Sequence, residues 1–263
     1  MLNVYAGTVM TSATTRTHEA LSHTRVHVTR PTTGGRARVS MGTAGPDDRP
    51  VIRPMLMSSD DAGATVSLMP EGALLLAGDA IVIHVVVGPG ARLELVEPAG
   101  TVAYAMDGAR ASWDVTIELG TASTLVWAGE PFVVAEGARV HRSTTIRLGS
   151  AASMAWRELV VLGRHGERPG WLRQELSVVG HNDAPMLVEE LELGPASSRL
   201  LLGGARAVGS VLVLGRRLPP EVGHCSGTRL DLEGDGTLVR HLCTDAHRAT
   251  AADTWGAARR CVG

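Results

Sequence analysis

Asp79 closes the dipeptide Gly78-Asp79 and opens the apolar run Ile81 to Val87, so a carboxylate stands at the mouth of a β-strand. Two chemistries fit an acid there. Asp beside Gly can bond local backbone amides and close a turn, or the carboxylate can line an internal passage, held rigid by the strand that follows it. Glu189 is the companion acid. In Pro185 to Leu193, Glu190 and Glu192 share one face, while Glu189 falls on the other with Leu187, Leu191 and Leu193. An acid on an apolar face must be paired or neutralised. An Asp/Glu pair could also act as general acid and base in an enzyme.

His84 interrupts the apolar run and reads as a hydrogen-bonded core histidine rather than a metal ligand. The C-terminal region offers His224-Cys225, His241, Cys243, His247 and Cys261, and imidazole with thiolate suits nickel, copper or zinc. No C-x-x-C pair and no H-x-x-x-H face occurs, so the spacing is not that of a structural zinc site, and free thiols with surface histidines are the better reading. Catalytic signatures are missing too: there is no G-x-S-x-G, H-E-x-x-H, G-x-x-x-x-G-K-[ST] or G-x-G-x-x-G. The motif search therefore points away from an enzyme.

Composition narrows the classes further. All 25 basic side chains are arginine, which removes any P-loop or Schiff-base lysine, so nucleotide hydrolysis coupled to this chain would reside on a partner. A formal net charge of -2 with scattered basic residues carries no nucleic-acid footprint. The first residues lack a basic stretch followed by a sustained apolar one, and no apolar run is long enough to span a bilayer. Three cysteines, all after Pro220, fit free thiols in a reducing cytoplasm.

The elements that must position these acids are strands. Odd positions from Ala111 to Leu119 are apolar and even ones polar, the period-two signature, and Val140 to Leu148 repeats it except that Arg142 intrudes on the apolar face. Thr116 to Trp127 (T-I-E-L-G-T-A-S-T-L-V-W) and Thr145 to Trp156 (T-I-R-L-G-S-A-A-S-M-A-W) match at an offset of 29, and Val85 to Leu95 is a weaker copy. Strand, glycine turn, strand, recurring near every thirty residues, predicts stacked units: an all-β, spirally wound, solenoid-like structure of many short strands, with a β-sandwich as the alternative. Further strands are expected at Trp171 to Val179, Pro185 to Leu193 and Val208 to Leu214. Helix is expected only as one or two short pieces, with Asp245 to Arg260 the main candidate and Asp245 its N-cap. Residues 1–45 read as a loosely held N-terminal segment with a short strand at Arg25 to Thr29. Residues 46–263 read as a single all-β domain, with turns at Pro46 to Pro50 and Ser58 to Asp61.

Several pieces fall in an order that resembles the urease accessory protein UreD (UreH) family: A-G-D at Ala77 to Asp79, G-A-R-L-E-L at Gly90 to Leu95, P-A-G-T-V-A-Y at Pro98 to Tyr104, A-W-R-E-L-V-V-L-G-R at Ala155 to Arg164, and P-M-L-V-E at Pro185 to Glu189. The resemblance runs from about Pro50 to about Gly215. The chain looks like a divergent member: Val102 to Ala105 is uncharged where many members carry Lys and Arg, and Gly129 to Phe132 lacks the usual double Phe. The resemblance implies a cytoplasmic, non-enzymatic scaffold that binds apo-urease and the accessory proteins UreF and UreG, and helps deliver nickel to the urease active site. It also implies an internal tunnel, with Asp79 and Glu189 as the acids of a transient nickel passage and no tightly bound cofactor. A plain β-rich interaction module and a β-solenoid enzyme are the alternatives.

Overall fold

The computed structural model describes residues 21–45, 51–223 and 227–263. The turn expected at Pro46 to Pro50 and the pair His224-Cys225 lie outside the described residues. Sixteen strands and two short helices follow one another in these segments. They are β1 (Leu21–Thr29), β2 (Arg38–Ala44), β3 (Val51–Ser59), β4 (Gly63–Glu71), β5 (Ala80–Val87), β6 (Arg92–Val96), β7 (Thr101–Ala103) and β8 (Ala111–Leu119). Next come β9 (Thr124–Val134), β10 (Arg139–Leu148), β11 (Ser153–Leu162), β12 (Trp171–Val179), β13 (Pro185–Leu193), α1 (Ser197–Leu202), β14 (Ala207–Leu214), β15 (Thr228–Asp231), β16 (Gly236–Cys243) and α2 (Ala252–Val262).

The strands form two facing sheets. The first has the order β13-β12-β10-β8-β5-β1-β2, and the second β15-β16-β14-β11-β9-β6-β4-β3, with β7 continuing the β6 column beside β9. From β4 to β12 the chain alternates between sheets, β6 and β7 counting as one column, and from β6 onward each strand lies parallel to the one a coil earlier in the same sheet. The result is a solenoid of about four coils: β4 with β5, β6 and β7 with β8, β9 with β10, and β11 with β12.

The sequence repeat is this stacking. Thr116 pairs with Thr145 and Leu119 with Leu148 in the first sheet; Leu125 pairs with Met154 and Trp127 with Trp156 in the second. Like residues thus lie one above another, and the Trp127 and Trp156 rings stand 6.3 Å apart. Between the sheets run the alternating apolar positions, among them Ile81, Ile83 and Val85 of β5 and Leu93 and Leu95 of β6, each no more than 1% exposed.

The two outer faces differ, and the sequence pattern follows from that. The first sheet turns Ser112, Asp114, Thr116 and Glu118 outward, which is why β8 alternates so cleanly. Over the second sheet lies α2, packing Trp255, Ala258 and Val262 on Val126, Ala155, Val211 and Val213. All eight residues of β14 are therefore buried, and the strand reads as an apolar run broken only by Gly209 and Ser210. Asp245 does not cap this helix. It precedes a 3-10 turn, Ala246–Thr250, and α2 starts after the left-handed Ala251. The short α1, linking β13 to β14 between the sheets, has no sequence signal comparable to the strands around it.

Candidate functional site: a polar line between the sheets

Asp79 is 3% exposed and lies just ahead of β5. Its Oδ2 accepts a hydrogen bond from the Leu76 amide at 2.8 Å, and its own amide donates to the Leu76 carbonyl at 3.1 Å, so the carboxylate closes the turn that launches the strand. Glu189 sits where the alternation placed it, on the inward face of β13. Both its oxygens accept from Arg240 on β16, one of them at 2.9 Å, so a salt bridge ties one sheet to the other. Asp79 and Glu189 do not meet. Their strands are four spacings apart in the first sheet and the residues are offset along them, which puts the pair on the order of 20 Å apart. Paired glycosidase-type carboxylates work at about 5 to 10 Å, so these two do not form an acid/base couple.

Other interior acids, which carry no motif of their own, gather at a fault in the second sheet. The β6 column breaks at Glu97 to Gly100, and beside this break β9 carries an extra residue: Ala128 pairs with Arg157 and Pro131 with Leu159, leaving Gly129 and Glu130 opposite Glu158. Three successive coils thus bring Glu97, Glu130 and Glu158 to one fault across the second sheet. Glu97 is half-buried as a residue, but its carboxyl turns inward. It accepts from Trp127 Nε1 at 2.8 Å and from the Glu130 amide at 3.0 Å. Burial pushes its pKa above the usual glutamate value, against the pull of those two donors and of the nearby Arg142 guanidinium. Glu130 faces outward and pairs with Arg157 at 3.1 Å, and Arg157 lies over the Trp255 ring of α2.

Arg142, the residue that broke the β10 alternation, explains its own intrusion. Its Nη2 donates to Glu158 at 2.8 Å with both side chains about nine-tenths buried, and its guanidinium lies 4.3 Å from the Phe132 ring centroid. Gln174 of β12 joins them, donating to Glu158 at 3.1 Å and accepting from Arg142 at 3.3 Å. Arg240 continues the line: its Nε donates to Ser210 Oγ at 3.3 Å, and Glu158 and Glu189 both raise its pKa, with Glu189 the larger influence. A cavity of about 20 Å³, room for roughly one water, is lined by Glu97, Glu130, Arg142 and Glu158. The signal that could have found these acids was the repeat itself, since Glu97, Glu130 and Glu158 recur at spacings close to its period.

Other candidates fall elsewhere. His84 faces outward and bonds Glu118 Oε1 at 3.0 Å, so it is hydrogen-bonded as expected but not a core residue; the β5 period puts it opposite Ile83 and Val85. Cys243 and Cys261 are free thiols, and Cys261 Sγ lies 3.3 Å from the Arg217 carbonyl. His241 is buried within β16. Among the described residues no group of three or more His, Cys, Asp or Glu is disposed to hold a metal ion.

Comparison with known proteins agrees with the order of motifs and extends it. The UreD urease accessory protein family matches residues 49–262, beyond the stretch where the motifs are recognisable and through α2. Urease accessory protein UreD 1 of Streptomyces griseus is 45% identical over 197 residues, covering 74% of this chain and 75% of that protein. The Frankia alni urease accessory protein UreD is 38% identical over 206 residues, with 69% of each chain covered. The UreD of Parafrankia is 35% identical over 200 residues, covering 65% and 67%. A solenoid with a polar interior line, matched along most of its length by these proteins, belongs to the UreD family of urease accessory proteins and so to urease maturation.

Proposed function

We propose that the protein is a cytoplasmic, non-catalytic scaffold that binds apo-urease together with UreF- and UreG-like accessory proteins and passes nickel towards the urease active site through its interior. The observation that carries this reading is the set of interior acids: Asp79 ahead of β5, Glu97 and Glu158 at the fault in the second sheet, and Glu189 on the inward face of β13. One carboxylate at a time holds nickel more loosely than a His/Cys cage would, so an ion can move from one to the next. The absence of lysine, and with it of a P-loop, supports a division of labour in which nucleotide hydrolysis resides on a partner.

The test is the nickel content of urease matured with variants of this chain. Urease produced with Asp79→Ala/Glu189→Ala, or with Glu97→Gln/Glu158→Gln, should contain several-fold less nickel than urease matured with the wild type, while the variants still co-purify with the UreF- and UreG-like proteins. Full nickel loading with both double variants would end the interior-passage assignment. Failure of the wild type to co-purify with either partner would end the scaffold reading.

A further inference from the structure

We propose that Arg142 and Arg240 are displaceable counter-ions: each guanidinium holds an interior carboxylate until a divalent cation takes its place, so the arginines gate the passage. The proposal rests on the reading of the interior as a nickel path. Without metal, the carboxylates of Glu158 and Glu189 are already occupied, by Arg142 at 2.8 Å and by Arg240 through two hydrogen bonds. A cation that binds either acid therefore competes with its arginine.

The geometry makes that exchange feasible. Arg142 is not fully bonded, because its Nε is buried without a hydrogen-bond partner. A buried ion pair gains little net stability, since desolvation offsets attraction, but a carboxylate stripped of its partner is costly. An incoming double charge supplies what the departing guanidinium removes. The neutral oxygens that the arginines leave are further donors to a cation: Gln174 Oε1, which accepts from Arg142, and Ser210 Oγ, which accepts from Arg240. Guanidinium carries no free lone pair, so a displaced arginine cannot itself bind the metal and repels it instead. The charges alternate along the line, with Glu97, Glu158 and Glu189 set against Arg142 and Arg240.

Thermal unfolding of the full chain, with nickel(II) chloride titrated against a chelator control, tests the proposal without urease. Arg142→Gln and Arg240→Gln should each unfold several degrees below the wild type in chelator and recover on adding nickel, whereas the wild type should respond weakly. Arg142→Gln/Glu158→Gln, which lacks the freed carboxylate, should not respond at the Arg142 position. Absence of a nickel-dependent rise in the single variants overturns the proposal, and so does an equal rise in the double variant. If Arg142→Gln does not fold, Arg240→Gln decides alone, because its pair is only about four-fifths buried. Unresponsive arginine variants alongside normal urease loading by the wild type would reject the arginine role and leave the nickel path standing. Failure of wild-type loading would reject the path itself.

Discussion

Carboxylates of one residue type behave oppositely in this protein because their surroundings differ. Glu97 turns its carboxyl inward, where burial favours the protonated form and raises its pKa. The folded state then keeps a proton that the unfolded chain releases, so this residue's contribution to stability falls as pH rises through and above the ordinary glutamate value of 4.5. Glu97→Gln should flatten that part of the stability profile, measured by denaturant unfolding between about pH 4 and 8. Glu167 is the reverse case. The Arg164 side chain and amide, with the Glu136 amide, hold its pKa down to about 2. Its stabilising share is present above 4.5 and is lost as pH falls through about 2. A carboxyl titration by NMR should place Glu167 near 2, and Arg164→Ala should move it back towards the ordinary range.

The glycine turns are the elements that let the coils stack. Gly149 donates to the Leu119 carbonyl at 2.7 Å, and Gly120 donates to Val87 one coil below. A Cβ on Gly149 would lie 2.4 Å from the Leu119 oxygen and 2.8 Å from the Gly120 carbonyl carbon, both backbone atoms that cannot swing aside. Gly149→Ala should therefore cost about 1 to 3 kcal/mol, read from the urea midpoint, by forcing two coils apart. The same turns were legible in advance because glycine recurs at their centres and apolar residues flank them at matching places. Two features of β3 were less legible. It runs through Pro54 and Ser58 with a register shift at Met57, because an edge strand tolerates a missing donor and an extra residue.

At the scale of the molecule, α2 turns an open sheet face into a second core. Trp255 is 8% exposed on that face, with Arg157 above its ring. Trp255→Ala should destabilise by about 3 kcal/mol or more in denaturant unfolding and expose Val126, Val211 and Val213 to a hydrophobic dye. Period-two alternation and a 29-residue repeat specify the coil, since they leave few ways to bury those side chains other than stacking. The alternation also determines which face of β13 carries Glu189. Which charges meet is set by the packing of the two sheets. Arg142 with Glu158, and Arg240 with Glu189, come from strands in opposite sheets, and no local period encodes an approach across the core. The separation of Asp79 from Glu189 was settled the same way. Strand order sets lateral distance, and the chain reveals that order only once it has wound around itself.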